Sequence, residues 1–148
     1  MTNMNKILKG EICPYCNCKT ELVSDKAIYG EGSNYGGMYY QCELVKDHYV
    51  GTYSDNITSL GRIADRELRK LKMQGHKAFD PLWKSAPKYF SSRPKAYHWL
   101  SKKMGIEISE THFGMFDNQQ CKDAVQYCQS LKHSKLKYFY ILRAKLNL

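Results

Sequence analysis

Residues 13–18 read CPYCNC, and residues 38–53 read MYYQCELVKDHYVGTY. Cys13 and Cys16 have the C-x-x-C spacing at which backbone N–H groups support two thiolates on one metal ion. A structural zinc ion takes four ligands in a tetrahedron, so the other two must come from a distant segment. Cys42 and His48 in the second stretch complete such a set and predict a site that joins the two stretches.

Two other side chains compete with His48 for the fourth position. Cys18 follows the first pair closely, and a C-x-x-C-x-C run brings its thiol near the ion. Asp47 precedes His48 and offers a carboxylate, which is a less usual ligand of structural zinc. We predict a structural Zn²⁺ held by Cys13, Cys16, Cys42 and His48. Cys18 is predicted to be an unligated thiol nearby.

The residues around these ligands predict short β-strands. Residues 38–41 and 49–53 are rich in tyrosine, and the second also holds valine and threonine, as is typical of strands. The stretch KTELVSDKAIYG, residues 19–30, predicts a hairpin that turns near Ser24-Asp25-Lys26, and residues 30–37, GEGSNYGG, predict a flexible loop. Residues 8–56 therefore resemble a zinc-ribbon head.

The composition points to a folded, basic protein in a reducing compartment. The 148 residues are 43% hydrophobic and carry 23 Lys and Arg against 14 Asp and Glu, a formal charge of +9. Such a charge favours polyanions, nucleic acid first. Because no signal peptide or membrane-spanning run is visible, we expect a cytoplasmic location, the host cytoplasm if the protein is phage-encoded, and no membrane partner. Thiols stay reduced there, which favours metal binding or core packing for the six cysteines.

The remainder, residues 57–148, is predicted as a basic domain of three to four helices, so that the fold class is α+β. Residues 58–79 have a period near 3.6, which predicts one long helix with an apolar face. The opposite arc of that helix carries only positive charges and predicts a surface for phosphates; its members are Arg62, Arg66, Arg69, Lys70 and Lys77.

Capping signals predict where the other helices begin and end. Asp80-Pro81 predicts a helix start, Ser91 or Ser92 and Gly105 bound a helix over residues 91–104, and Asp117 with Gln120 forms a capping box. Cys121 and Cys128 lie seven residues apart on the last helix and are predicted as core residues. The tail, residues 134–148, is both basic and apolar, and it predicts either a final helix or an edge strand.

Several motifs taken together resemble a known family. In order they are CPYC, YYQC, YVGT, LGRIADRELRKLK, H-x-x-FDPLW, R-x-x-AY-x-WL and HFGMF-x-x-x-x-C, and they extend from about residue 11 to residue 128. The set resembles a small phage and bacterial family described as a zinc-finger-containing domain of unknown function. The resemblance implies zinc at Cys13, Cys16 and Cys42, and an origin in a phage or mobile element. It also implies a second C-x-x-C before YVGT, where this chain has Glu43, Leu44 and Val45 after Cys42.

Three functions are compatible with these features. The first is nucleic-acid binding, to DNA or RNA, with tyrosines of the ribbon stacking on bases and the basic arc following the phosphates. The second is a protein-binding inhibitor or adaptor, such as an anti-defence factor that acts on a host nucleoprotein complex. The third, and least favoured, is a metal-dependent nuclease that uses His76, Asp80, His112 and Asp117. No catalytic residue is assigned, because the zinc set is predicted to be closed and helix caps explain two of these four.

Overall fold

The computed structural model describes residues 3–86 and 88–146. The chain forms two compact units, the first comprising Met1–Lys70 and Gly114–Phe116, the second Leu71–Phe113 and Asp117–Leu148. A small three-stranded antiparallel sheet lies near the N-terminus and helices follow, so the predicted α+β class is confirmed. The predicted division into a head, residues 8–56, and a helical domain, residues 57–148, implies that each segment folds alone. This division stays a prediction.

The first unit is built on a sheet with strand order β1-β2-β3. After a short helix, α1 (Asn3–Leu8), come β1 (Thr20–Ser24), the helix α2 (Asp25–Tyr29), β2 (Met38–Cys42) and β3 (Tyr49–Gly51). Both strand pairs are antiparallel, with Thr20 opposite Cys42 and Tyr39 opposite Gly51. Strand β2 is therefore central, and it ends at a predicted zinc ligand.

The predicted turn near residues 24–26 is wrong, because α2 occupies that position. The carboxylate of Asp25 accepts hydrogen bonds from the Ser33 hydroxyl and from the Gly36 backbone N–H, both at 2.9 Å. These bonds fold the glycine-rich loop back over α2, and Gly36 and Gly37 allow it with φ of 71° and 78°. The connection between β1 and β2 is thus a helix and a folded loop.

The apolar core of this sheet region is small and includes the metal ligands. It is formed by Cys13, Cys42, Val50 and Ile63, with Cys16, Cys18 and Tyr40 packed against it. So few apolar residues contribute little hydrophobic stabilisation, and small domains of this kind commonly depend on a metal or a disulfide.

Residues 58–65 form an irregular, non-helical segment with isolated bridges at Ser59 and Ala64, so the helix predicted over 58–79 is wrong in its first eight residues. Ala64 exchanges backbone hydrogen bonds of 3.1 and 3.0 Å with Tyr49, which extends the pairing beyond β3. Gly61, at φ 151°, passes so close to the backbone of Gly114 that a Cβ atom would overlap it. The helix α3 (Arg66–Phe79) begins only after Asp65, whose carboxylate accepts from the Leu68 N–H at 2.8 Å.

The second unit consists of helices around an aromatic core. The end of α3 is followed by α4 (Pro81–Lys84), α5 (Arg93–Met104), a 3-10 turn (Ile108–Glu110) and α6 (Asn118–Lys145). Its fully buried side chains include Phe79, Leu82, Leu100, Phe113, Cys121 and Cys128. The core placement predicted for the last two cysteines is confirmed.

The predicted caps of α5 and α6 are confirmed, and that of α4 is not. Ser92 accepts from the Lys95 N–H and Gly105 ends α5 in the left-handed region, while Asp117 and Gln120 form a capping box. Asp80 precedes α4 as predicted, but its side chain makes no capping hydrogen bond. Its carboxylate oxygens lie instead 3.5 Å from His76 Nδ1 and 3.9 Å from Lys84 Nζ.

The predicted third helix and the basic tail form one continuous helix, α6, of 28 residues. Of the two alternatives for the tail, the helix is confirmed as far as Lys145, and residues 147–148 lie outside the described part. Every residue from 133 to 146 is exposed. Among residues 3–86 and 88–146, no helix combines the length and the apolar character needed to cross a membrane.

Candidate metal centre

The first half of the centre is a tight loop closed by backbone hydrogen bonds. The Asn17 N–H donates to the Cys13 carbonyl at 2.8 Å, and the Cys13 N–H donates to the Cys18 carbonyl at 2.9 Å. Asn17 reverses the chain with φ of 53°, a conformation that asparagine tolerates. Burial raises the pKa of the Cys13 thiol to about 12, although hydrogen bonds to its sulfur from the backbone N–H groups of Cys16 and Tyr15 act to lower this pKa. Burial thus favours the neutral thiol at Cys13, and a bound metal ion would favour the thiolate.

The second half repeats this loop at the end of β2. The backbone N–H groups of Leu44 and Val45 both donate to Cys42 Sγ at 3.4 Å. Burial alone would raise the pKa of the Cys42 thiol, but the hydrogen bonds from Val45, Leu44 and Cys18 lower it to about 6. Val45 thus stands where a C-x-x-C motif would have its second cysteine. This loop therefore has the backbone hydrogen bonds of a C-x-x-C loop without a second thiol.

His48 supplies the missing donor from three residues further along the chain. Its Nδ1 atom lies 3.5 Å from Cys13 Sγ and 3.6 Å from Cys16 Sγ. The Cys42 N–H donates to the His48 carbonyl at 2.9 Å, and the imidazole packs against Tyr15 with ring centroids 4.7 Å apart. The ring is therefore positioned both by its backbone and by an aromatic neighbour.

The donor atoms of Cys13, Cys16, Cys42 and His48 all lie within 4.8 Å of one another. A tetrahedral zinc ion, with Zn–S of about 2.3 Å and Zn–N of about 2.0 Å, requires sulfur–nitrogen edges of about 3.5 Å. The two sulfur–nitrogen distances at His48 match that edge. Three thiolates and one imidazole fill all four positions, which is the composition of a structural site. Zinc fits here, and these four residues would hold it and connect β2 to the loop of Cys13.

The two competing ligands have other partners. Cys18 Sγ lies 3.4 Å from Cys42 Sγ, at hydrogen-bond distance for sulfur. The carboxylate of Asp47 binds Arg69 at 2.7 Å. The group of four donors contains neither side chain, so the structure brings together the predicted set with His48 as its fourth member.

Sequence reasoning missed the neighbours that support this centre. Tyr15 packs on His48, and its hydroxyl accepts from the Asp65 backbone N–H at 3.2 Å. Leu44 and Val45 support Cys42 through their backbone alone, so no side-chain pattern marks them. The one available signal was spacing, since Cys42 and Val45 are separated as Cys13 and Cys16 are.

Of the five residues predicted to bind nucleic acid, two are bonded to other protein groups and three are exposed on α3. Arg62 precedes α3, and its Nε donates to the Met115 carbonyl at 3.0 Å, so the predicted helical arc does not include it. Arg69 binds Asp47 and lies 4.1 Å above the ring of Tyr49. The other three, Arg66, Lys70 and Lys77, are exposed on α3. Their contact with nucleic acid stays a prediction.

The residues considered for a nuclease belong to the second unit. His76 and Asp80 are neighbours at 3.5 Å, and Asp117 caps α6. Burial, followed by the positive charges of Arg93 and Lys72, lowers the pKa of His112. Within the described ranges, the four donors of the first unit are the one group of at least three His, Cys, Asp or Glu arranged to hold a metal.

Comparison with known proteins bears on this centre. No curated protein and no solved structure matches the chain. A family model described as a zinc-finger-containing domain matches residues 9–131, which include all four donors and most of the helical unit. The chain therefore belongs to this family of zinc-finger-containing domains.

Proposed function

We propose that the protein binds nucleic acid, DNA or RNA, and that the positive charge of the second unit provides the attraction. The charge distribution carries this proposal. The first unit has nine Lys and Arg and nine Asp and Glu, so it is formally neutral. The second unit has fourteen Lys and Arg against five Asp and Glu, an excess of nine positive charges. The charge of the whole chain therefore belongs to the helical unit.

A polyanion is the partner that such a helical unit suits best. Of the exposed cations of α3, Lys77 belongs to this unit. In α5, Lys102 and Lys103 are also exposed. Cations spaced along helices bind phosphates and release the counterions that surround a nucleic acid, which makes affinity fall steeply with salt. In this proposal the zinc centre has a structural role and holds the sheet of the first unit together.

Fluorescence anisotropy of labelled DNA and RNA between 50 and 200 mM salt tests the proposal. If about five phosphates are neutralised, the logarithm of the affinity falls with the logarithm of salt concentration at a slope of about −4. An affinity that is absent, or that does not change with salt, would refute nucleic-acid binding.

Two triple Lys→Gln variants test whether the second unit provides the attraction. The first changes exposed lysines of three helices in the second unit, Lys77, Lys103 and Lys137. The second changes exposed lysines of the first unit, Lys6, Lys19 and Lys46. Both remove three charges, but only the first is expected to weaken binding strongly and to flatten the salt slope. Equal effects would contradict the assignment to the second unit.

A second candidate function is that of a protein-binding inhibitor or adaptor, and one surface of the first unit favours it. Tyr29 and Tyr35 are 50% and 79% exposed, and their rings lie 4.8 Å apart. Exposed tyrosines in a unit without net charge resemble the composition of protein interfaces. The family resemblance to phage proteins would make a host-defence complex a suitable partner.

Capture experiments in nuclease-treated host lysate separate the two candidates. A partner protein that is retained by the parent chain and lost with Tyr29→Ser and Tyr35→Ser would support the inhibitor. A partner that disappears when nuclease is added would instead be bound through nucleic acid.

A further inference from the structure

The last four turns of α6 carry exposed apolar side chains. We call residues 133–146 the C-terminal arm. Seven large apolar residues of the arm are between 43% and 66% exposed: Leu136, Tyr138, Phe139, Tyr140, Ile141, Leu142 and Leu146. A run of this kind is unusual on a protein surface and marks an interaction site.

The apolar residues of the arm lie on all sides of the helix. At ~100° per residue, Phe139 and Ile141 project about 160° apart, and so do Tyr138 and Tyr140. A planar surface such as a lipid bilayer would cover one side of the arm and leave the other in water. An amphipathic helix that lies on a membrane separates its apolar and polar faces, and the arm does not.

The charges of the arm have one sign. From residue 124 to the end of the chain there is no Asp or Glu. The arm itself carries Lys135, Lys137, Arg143 and Lys145, with His133 at its start. Two copies of such a helix would repel each other, so a second copy of the chain is a poor occupant. An anionic partner is favoured.

We propose that the C-terminal arm binds single-stranded nucleic acid, an inference that rests on the nucleic-acid binding proposed above. Tyr138, Phe139 and Tyr140 offer three exposed rings for stacking on unpaired bases, while the lysines and Arg143 meet the phosphates. A single strand is flexible and presents its bases, so it can follow a helix whose apolar residues lie on all sides. A duplex keeps its bases stacked inside and offers the rings no partner.

The test compares two triple alanine variants of the full chain, which leave every cation in place. The aromatic variant changes Tyr138, Phe139 and Tyr140. The aliphatic control changes Leu136, Ile141 and Leu142, which are exposed on the same arm to a similar degree. Alanine favours the helix, so both variants are expected to remain folded, which circular dichroism checks.

Anisotropy with a 20-nucleotide oligothymidylate and with a 20-base-pair duplex gives the readout. We expect the aromatic variant to lose about tenfold or more in affinity for the single strand, and its duplex affinity and salt slope to stay unchanged. The aliphatic control should stay within about twofold, because stacking requires a ring.

Several results would overturn the inference. Equal losses of single-strand affinity in both variants would show that the arm binds through general apolar burial and not through stacking. If phosphatidylglycerol vesicles displace the oligonucleotide from the parent chain but bind neither variant, the arm binds a lipid surface. Salt-dependent binding that the aromatic variant retains in full would refute this inference alone, whereas the absence of any binding would refute the proposed function as well.

Discussion

Replacing His48 by alanine removes the one ligand that does not belong to either C-x-x-C-like loop. Structural zinc sites contribute roughly 10–16 kcal/mol of binding free energy at neutral pH, shared among four ligands. Loss of one donor out of four therefore costs about 3 kcal/mol, or on the order of a hundredfold in the zinc dissociation constant. Competition against a chromophoric chelator measures this constant directly.

A compensating substitution at Val45 tests whether His48 occupies the fourth position of the zinc site. The Val45 N–H donates to Cys42 Sγ just as the Cys16 N–H donates to that of Cys13. Val45→Cys in the His48→Ala background would therefore place a thiolate at the vacant corner and restore most of the affinity. Val45→Ala in the same background is the matched control and should restore nothing. If His48→Ala binds zinc like the parent, or if the cysteine rescues no better than the alanine, the assignment of His48 as fourth ligand is refuted.

Three further outcomes are expected. Cys18→Ser should keep one equivalent of zinc by elemental analysis and weaken affinity no more than about tenfold, because Cys18 makes a hydrogen bond of about 1 kcal/mol to a ligand sulfur and is not itself a ligand. Chelation of zinc should expose the amides of β1, β2 and β3 to hydrogen exchange while those of α5 and the first half of α6 remain protected. Asp25→Asn should lower the melting temperature at pH 7, since hydrogen bonds from Gly36 and Ser33 hold the pKa of Asp25 below 3.8, its value in the unfolded chain. That stabilisation is complete above pH 3.8 and is lost as the pH falls through the lowered pKa, so parent and variant should melt alike in stronger acid.

The metal centre was predictable because spacing in the sequence determines geometry over a few residues. A C-x-x-C segment forms a tight loop that presents two thiols to one ion. A cysteine at the end of a strand, followed six residues later by a histidine, can supply the other two donors. The caps at Ser92 and Asp117 were predictable for the same reason, since each depends on residues within one helical turn.

Elements decided by distant contacts were not predictable. Residues 58–65 have a helical period, yet their bridges to Tyr49 and Thr52 and the close approach of Gly61 to Gly114 keep them out of a helix. The predicted turn after β1 is a helix because Asp25 binds a loop eight to eleven residues ahead. Arg69 matched a basic arc in the sequence, but a carboxylate 22 residues away engages it.

The loop at Cys42 bears on how this centre can change over evolutionary time. Backbone amides hold that loop, so its shape does not depend on the side chain at position 45. A lineage could therefore gain a cysteine at 45 while the histidine at 48 still serves, and lose the histidine later, without passing through a metal-free ancestor. Two successive substitutions would then convert a site with three cysteines and one histidine into a site with four cysteines, and the ion would stay bound throughout.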